Sequence, residues 1–225
     1  MVREQENKTM LIDIFHDTAC PWCWIGKKHL FDALKQFIGT VDIRWHSFLL
    51  DNTIPAQGYD FRSFMQTRKG IKIEELERMF DYTRQVGKAA GVKLNFDKIS
   101  LAVNTTKSHQ LIALAPNNIK NTIVEAIYKA YFEDGLNICD IDLLVTIGTQ
   151  AGMDAAQTRQ QLSSDAVLNT VIAESTFARL NGITSVPFFI INNQIRVDGS
   201  HSVEVFLQAL NRARFLEVST DLLKL

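Results

Sequence analysis

The sequence predicts an α/β protein in which a small sheet domain is interrupted by an all-helical block. Three observations predict it. A β-α-β pattern occupies residues 10–50, a long stretch without strand periodicity follows, and an α-β-β-α pattern closes the chain.

Residues 10–15 open the sheet: Leu11, Ile12, Ile14 and Phe15 are too continuously apolar for a half-exposed edge, as expected of a covered strand. From Pro21 the residues Trp24, Ile25, Leu30, Phe31, Leu34 and Phe37 fall at helical spacing, and Pro21 suits a first turn whose N–H would be unbonded anyway. This helix is expected to end near Gly39. Val41, Ile43 and Trp45 then alternate with Asp42, Arg44 and His46, a strand of period two.

After Pro55 the β signal disappears, and helical patterns cover 61–67, 73–90, 100–115, 119–131, 141–150 and 155–162. Asp140 and Asp154 stand where N-caps belong, and Gly135, Gly152 and Gly182 where helices should stop. A further helix over 164–180 leads to a strand from Pro187 to residue 191, an Asn192-Asn193 turn, a partner strand over 194–197 and a helix carrying Val203, Phe206, Leu207 and Leu210. The expected organisation is a sheet domain in two parts, 10–54 and 164–214, a helical insertion at 55–163, and a tail at 215–225 whose Leu222, Leu223 and Leu225 could pack on the domain or on a second chain, as monomer or homodimer. With the insertion removed, the remaining four-stranded sheet with helices on both faces is the skeleton of a thioredoxin fold.

Composition excludes several classes. Twenty-four Lys and Arg against 25 Asp and Glu leave a net charge of -1, so no global field recruits nucleic acid or an anionic membrane. The run at 10–15 is broken by Asp13 and too short for a signal-peptide core, which makes the cytoplasm the expected compartment. There, 3 cysteines in a chain of 225 residues do not form a disulfide framework, so Cys20 and Cys23 read as redox or metal chemistry.

Cys20-Pro21-Trp22-Cys23 places two thiols one helical turn apart, the geometry of a reversible disulfide. Cys20, at the exposed end, is the expected nucleophile, because uncapped N–H groups and the helix dipole favour a negative sulfur there; Cys23, buried, is the expected resolving thiol. Pro21-Trp22 supplies no cation, which leaves the dipole, the backbone or a neighbour such as His16 to stabilise the sulfur. Half of a zinc site remains open as an alternative, although no second pair exists and Cys139 stands alone, as does a pair of core cysteines. Val186-Pro187 is the second feature: a cis peptide would turn the Val186 backbone towards the cysteines, where it could bind an extended substrate. Trp22 could line a peptide surface, and His16 and His109 are candidate supporting groups beside a packing role.

The segment from Asp17 to Lys27, which contains Cys20-Pro21-Trp22-Cys23-Trp24-Ile25-Gly26, resembles the active site of the FrnE-like branch of the DsbA family. Val103-Asn104-Thr105 with His109, the segment 130–135, Gly182-Ile183-Thr184-Ser185-Val186-Pro187-Phe188-Phe189 and the segment 205–210 are also similar to that branch. The resemblance implies dithiol-disulfide exchange by Cys20 and Cys23, a cis-proline at Pro187, and a helical domain over the active site. It extends in outline to kappa-class glutathione transferases and 2-hydroxychromene-2-carboxylate isomerases, which have serine in place of Cys20. Thr106-Lys107-Ser108 and Val197-Asp198-Gly199-Ser200-His201 depart from the branch pattern.

Three functions therefore compete: a dithiol oxidoreductase or isomerase acting on protein, peptide or small thiols and disulfides; a glutathione-dependent transferase or isomerase; and a non-catalytic thioredoxin-like peptide-binding module. The first needs no resident cofactor or metal, with glutathione as a redox partner.

Overall fold

A computed structural model describes residues 9–222, with side chains for residues 9–216. Strand β1 (Met10–His16) pairs in parallel with β2 (Val41–Ser47) across helix α1 (Pro21–Leu34), and antiparallel with β5 (Phe188–Ile191), which pairs with β6 (Ile195–Asp198). The order β2-β1-β5-β6 leaves β1 central, which is why its apolar run is continuous. Asn192 and Asn193 make the β5–β6 turn at positive φ, 49° and 55°, the twist that asparagine tolerates in two-residue hairpins.

Alternation along β1 assigns the two faces. Ile12, Ile14 and His16 point to the side of α1 and α9 (Val203–Leu222), where Phe31 stacks on Trp45 and Phe206 meets Phe189. Asp13 and Phe15 point to the side of α8 (Leu168–Leu180), where Phe15, Phe48, Ala178, Ile183 and Phe188 form a separate cluster.

Between β2 and α8 lie α2 (Phe61–Thr67), α3 (Ile73–Ala89), α4 (Thr106–Leu114), α5 (Asn117–Tyr128), α6 (Ile141–Gln150) and α7 (Ala155–Ser163). One apolar cluster runs from Ile12, Ile25 and Leu30 of the sheet domain into Leu76, Ile123, Tyr128 and Phe132 of these helices. Asp140 and Asp154 accept N–H bonds at the starts of α6 and α7, each worth about 1 kcal/mol. Gly135, Gly152 and Gly182 have positive φ after their helices, and at Gly135 a Cβ would lie 2.2 Å from the Lys98 carbonyl oxygen.

Several expected boundaries differ. Strand structure does occur after Pro55: β3 (Tyr59–Asp60) pairs with β4 (Leu101–Ala102), each too short to show a period. That pairing holds Leu101 extended, so α4 starts at Thr106 rather than at 100. Helix α1 stops at Leu34, where a tighter turn sends the Gln36 and Phe37 N–H groups to the Ala33 carbonyl. Helix α8 starts at Leu168 because Asp165, at φ 53°, gives its carboxylate to Lys107 and Gln110 of α4. Helix α5 passes into one wide turn, Lys129–Glu133, and α9 runs on through the expected tail to Leu222. The expected packing of Leu222, Leu223 and Leu225 lies outside the described residues.

Candidate active site

Cys20 is the N-cap of α1, extended at φ -99° and ψ 112°, and no side chain caps the helix. The first-turn N–H groups therefore have no side-chain acceptor beside the sulfur. Its own N–H bonds the Asp17 carbonyl at 3.1 Å, and the Cys23 N–H closes the first turn on the Cys20 carbonyl at 3.1 Å. Both thiols are free.

The expectation of an exposed Cys20 is corrected: it is 6% exposed. The Val186-Pro187 loop lies over it, and the Cys20 Sγ points to the Val186 carbonyl oxygen at 3.7 Å. The Val186-Pro187 peptide is cis. Gly26 of α1 permits this approach, since a Cβ there would stand 2.9 Å from Pro187 Cγ. The Pro187 carbonyl accepts the Gly199 N–H at 2.8 Å, tying the loop to the end of β6.

Cys23 is 2% exposed, and burial first, then its hydrogen bond and charge interaction with Cys20, push its thiol well above the ordinary range. A group that must become a thiolate to react is thus held as a thiol. Trp22 is half-buried with its ring 6.0 Å from that of Tyr82 on α3, so the outer wall of the site joins both parts of the chain.

His16 does not supply the cation expected for Cys20. It is 1% exposed, its Nδ1 bonds the Tyr128 hydroxyl at 2.8 Å, and burial lowers its pKa so far that the ring is neutral. His109 is also buried and neutral, its ring 5.1 Å from that of His16. The cation under α1 is Lys27, 2.6 Å from Glu125 of α5, where burial lowers its pKa against the support of that carboxylate. Glu125 also accepts the Trp24 indole N–H, at 3.3 Å.

Asp17 organises the turn ahead of Cys20. Its carboxylate accepts the Ala19 N–H at 2.9 Å, the Leu50 N–H at 2.7 Å and the Thr105 hydroxyl at 3.3 Å. The contact to the amide two residues on is the familiar habit of Asp in turns and was available as a signal. Tyr128 had none, because a residue separation of 112 divides it from His16. Asp17 and Ala19 also line a cavity of about 320 Å³ with Leu50, Ile54, Phe64 and Tyr131.

Cys139 lies in the turn before α6, its N–H bonded to the Asn137 side chain. Among the described residues no group of three or more His, Cys, Asp or Glu is placed to hold a metal ion, and no helix is long and apolar enough to cross a membrane.

Comparison with known proteins adds three findings. The family model described as DSBA-like thioredoxin domain matches residues 11–211. YwbO of Bacillus subtilis (strain 168), described as uncharacterized, is 24% identical over 206 residues, 90% of this chain and 96% of that protein. Among solved structures, the probable DsbA oxidoreductase SCO1869 from Streptomyces coelicolor superposes with a TM-score of 0.84 at 28% identity, covering 91% of this chain and 89% of that one. The cytosolic disulfide reductase DsbM from Pseudomonas aeruginosa with GSH shares the fold, with a TM-score of 0.60 at 15% identity over 94% of this chain and 99% of that one.

Proposed function

The chain belongs to the DSBA-like thioredoxin domain family, and from that premise we propose that it is a dithiol-disulfide oxidoreductase or isomerase using Cys20 as nucleophile and Cys23 as resolving thiol. The observation that carries the reading is the pairing of a free thiol at an uncapped helix N-terminus with a second free thiol one turn inward. The Cys20 sulfur attacks a substrate disulfide and forms a mixed disulfide; Cys23 then attacks Cys20 and releases the second substrate thiol. In isomerisation the mixed disulfide is instead returned to another substrate thiol. The Val186 carbonyl, which faces the Cys20 Sγ, supports a substrate strand laid along the Val186-Pro187 loop with Trp22 flanking it.

Reduction of insulin with glutathione as electron source tests this. Cys20→Ser is expected to lower turnover at least about a hundredfold, and Cys23→Ser to accumulate a mixed disulfide on Cys20. Full activity in Cys20→Ser would refute the assignment.

The apolar cavity beside Asp17 and Ala19 favours a second reading, in which glutathione is activated at Cys20 and an apolar co-substrate occupies that cavity. The glutathione in the DsbM structure supports glutathione as a partner under either reading. Glutathione conjugation that survives Cys23→Ser would select the second reading. DsbM's description as cytosolic supports a cytoplasmic setting, where thiols are kept mostly reduced and reduction or isomerisation is the favoured direction.

A further inference from the structure

Immediately ahead of Cys20 the chain walls a cavity that the exchange reaction leaves unused. Its volume is about 320 Å³, and Ala19 forms part of its wall. The Cα atoms of neighbouring residues stand about 3.8 Å apart, so that wall lies within one side chain's reach of a sulfur bonded to Cys20. Trp22, Val186 and Pro187, which flank Cys20 where a substrate strand would lie, are not part of the wall.

Most of the wall is apolar: Ile54 after β2, Phe61, Phe64 and Met65 from α2, Ala102 from β4, and Val103. Phe64 is buried against Ile54 and Ala102, which fixes that side of the cavity. Leu50, also in the wall, is 47% exposed, so the cavity reaches solvent. Its polar groups are already committed. The Asp17 carboxylate accepts from Ala19, Leu50 and Thr105, the Tyr131 hydroxyl donates to the Leu101 carbonyl at 2.9 Å, and Lys69 pairs with Asp51 at 3.4 Å. Among the described residues, none of the buried polar atoms without a partner belongs to this wall. An occupant therefore gains from removal of apolar surface from water rather than from new hydrogen bonds. Size selects the occupant further, since an apolar cavity of about 150 Å³ already takes up benzene. The space here suits an aromatic or branched aliphatic side chain.

We propose that this cavity is the subsite for one large apolar side chain next to the reacting cysteine of a peptide disulfide. The inference rests on the exchange reading above and names its substrate class. Large apolar residues are mostly buried in folded proteins, so a cysteine flanked by one is offered to Cys20 chiefly by unfolded or misfolded segments. Glutathione, whose cysteine is flanked by a γ-glutamyl group and a glycine, leaves the cavity empty. The Cys20 thiolate attacks the peptide sulfur while the neighbouring side chain enters the cavity. The Cys20–peptide bond forms as the substrate disulfide breaks, and its electron pair leaves on the released peptide thiolate.

The test uses symmetric disulfides of short capped peptides, Gly-Cys-Gly, Phe-Cys-Gly and Gly-Cys-Phe, with the Cys23→Ser protein, in which the adduct on Cys20 accumulates. Adduct formation is followed by acid quenching and mass spectrometry, and each rate is divided by that of the same peptide with free cysteine. One of the two phenylalanine peptides is expected to react at least about tenfold faster than the glycine peptide, and the other not, because the cavity lies to one side of Cys20. Adding Met65→Trp, which fills the cavity, should bring that ratio to within about twofold of unity. Adding Met65→Ala, which widens it, should shift the preference towards a tryptophan peptide. Equal rates for all three peptides would overturn the proposal, as would equal acceleration by phenylalanine on either side. A preference undiminished in Met65→Trp would overturn it too; if that variant does not fold, the Met65→Ala shift decides in its place. Failure of every peptide to form an adduct on Cys20 would instead refute the exchange reading itself.

Discussion

The two faces of β1 bury polar residues in opposite electrostatic states. On the α8 side Asp13 is 4% exposed and accepts from Arg44 Nε at 2.7 Å, while His46 Nε2 lies 2.6 Å from the same carboxylate and His46 Nδ1 3.5 Å from Glu174. Burial opposes the His46 charge, but the hydrogen bonds to Asp13 and Glu174 outweigh it and raise its pKa to about 9. On the α1 side His16 and His109 are buried with Tyr128 and with each other, and remain neutral. His46 is partly exposed and has two carboxylates within reach, whereas His16 and His109 are fully buried and hydrogen-bond none, so partial solvation and carboxylate partners together set the charge of the histidine. The charged face anchors the edge strand, and on the neutral face the one bond of a buried histidine side chain is that of His16 to the Tyr128 hydroxyl.

The largest way to break this contrast is Asp13→Ala, which leaves two cations facing each other without their shared acceptor. It is expected to cost about 4 kcal/mol at neutral pH, read by urea unfolding. A loss under about 1 kcal/mol would mean that the network contributes little.

The pH dependence of stability should show the two faces as limbs of opposite sign. His46 has a raised folded pKa, so its contribution is complete below its unfolded value near 6.5 and is lost as the pH climbs through about 9, on the order of 3 kcal/mol. Burial depresses the folded pKa of His16 and His109, so their contribution is present above about 6.5 and is lost as the pH falls below it, when the unfolded chain binds protons that the folded one refuses. Urea titrations from pH 5 to 10 should trace both limbs, and Glu174→Gln should shrink the alkaline one alone. An alkaline limb unchanged in that variant would leave Asp13 as the sole support of the His46 charge.

The smallest effect is expected from His109→Leu. Neither ring nitrogen of His109 has a protein partner, so an apolar residue of similar size should change stability by less than about 1 kcal/mol. A loss of several kcal/mol in thermal unfolding would show that these nitrogens are hydrogen-bonded in solution.

Much of the fold was legible because its elements advertise themselves locally. The apolar run of β1, the alternation of β2, the caps Asp140 and Asp154 and the Asn192-Asn193 turn each depend on a few neighbouring residues. The two-residue strands β3 and β4 were missed because two residues carry no period, and α4 was therefore begun too early. At the site, the Cys-x-x-Cys spacing and Pro187 could be read in line, whereas the cover over Cys20 depends on the distant Val186-Pro187 loop and on the absence of a Cβ at Gly26.

The sequence by itself determined the Cys-x-x-Cys spacing at the start of α1 and the order β-α-β, helical block, α-β-β-α, because helical spacing and strand alternation are properties of adjacent residues. Tertiary structure decided that both thiols are buried, that His16 is neutral and that His46 is charged. Those properties follow from solvent exclusion and from partners such as Tyr128, Asp13 and Glu174, which only the folded chain brings within hydrogen-bonding distance.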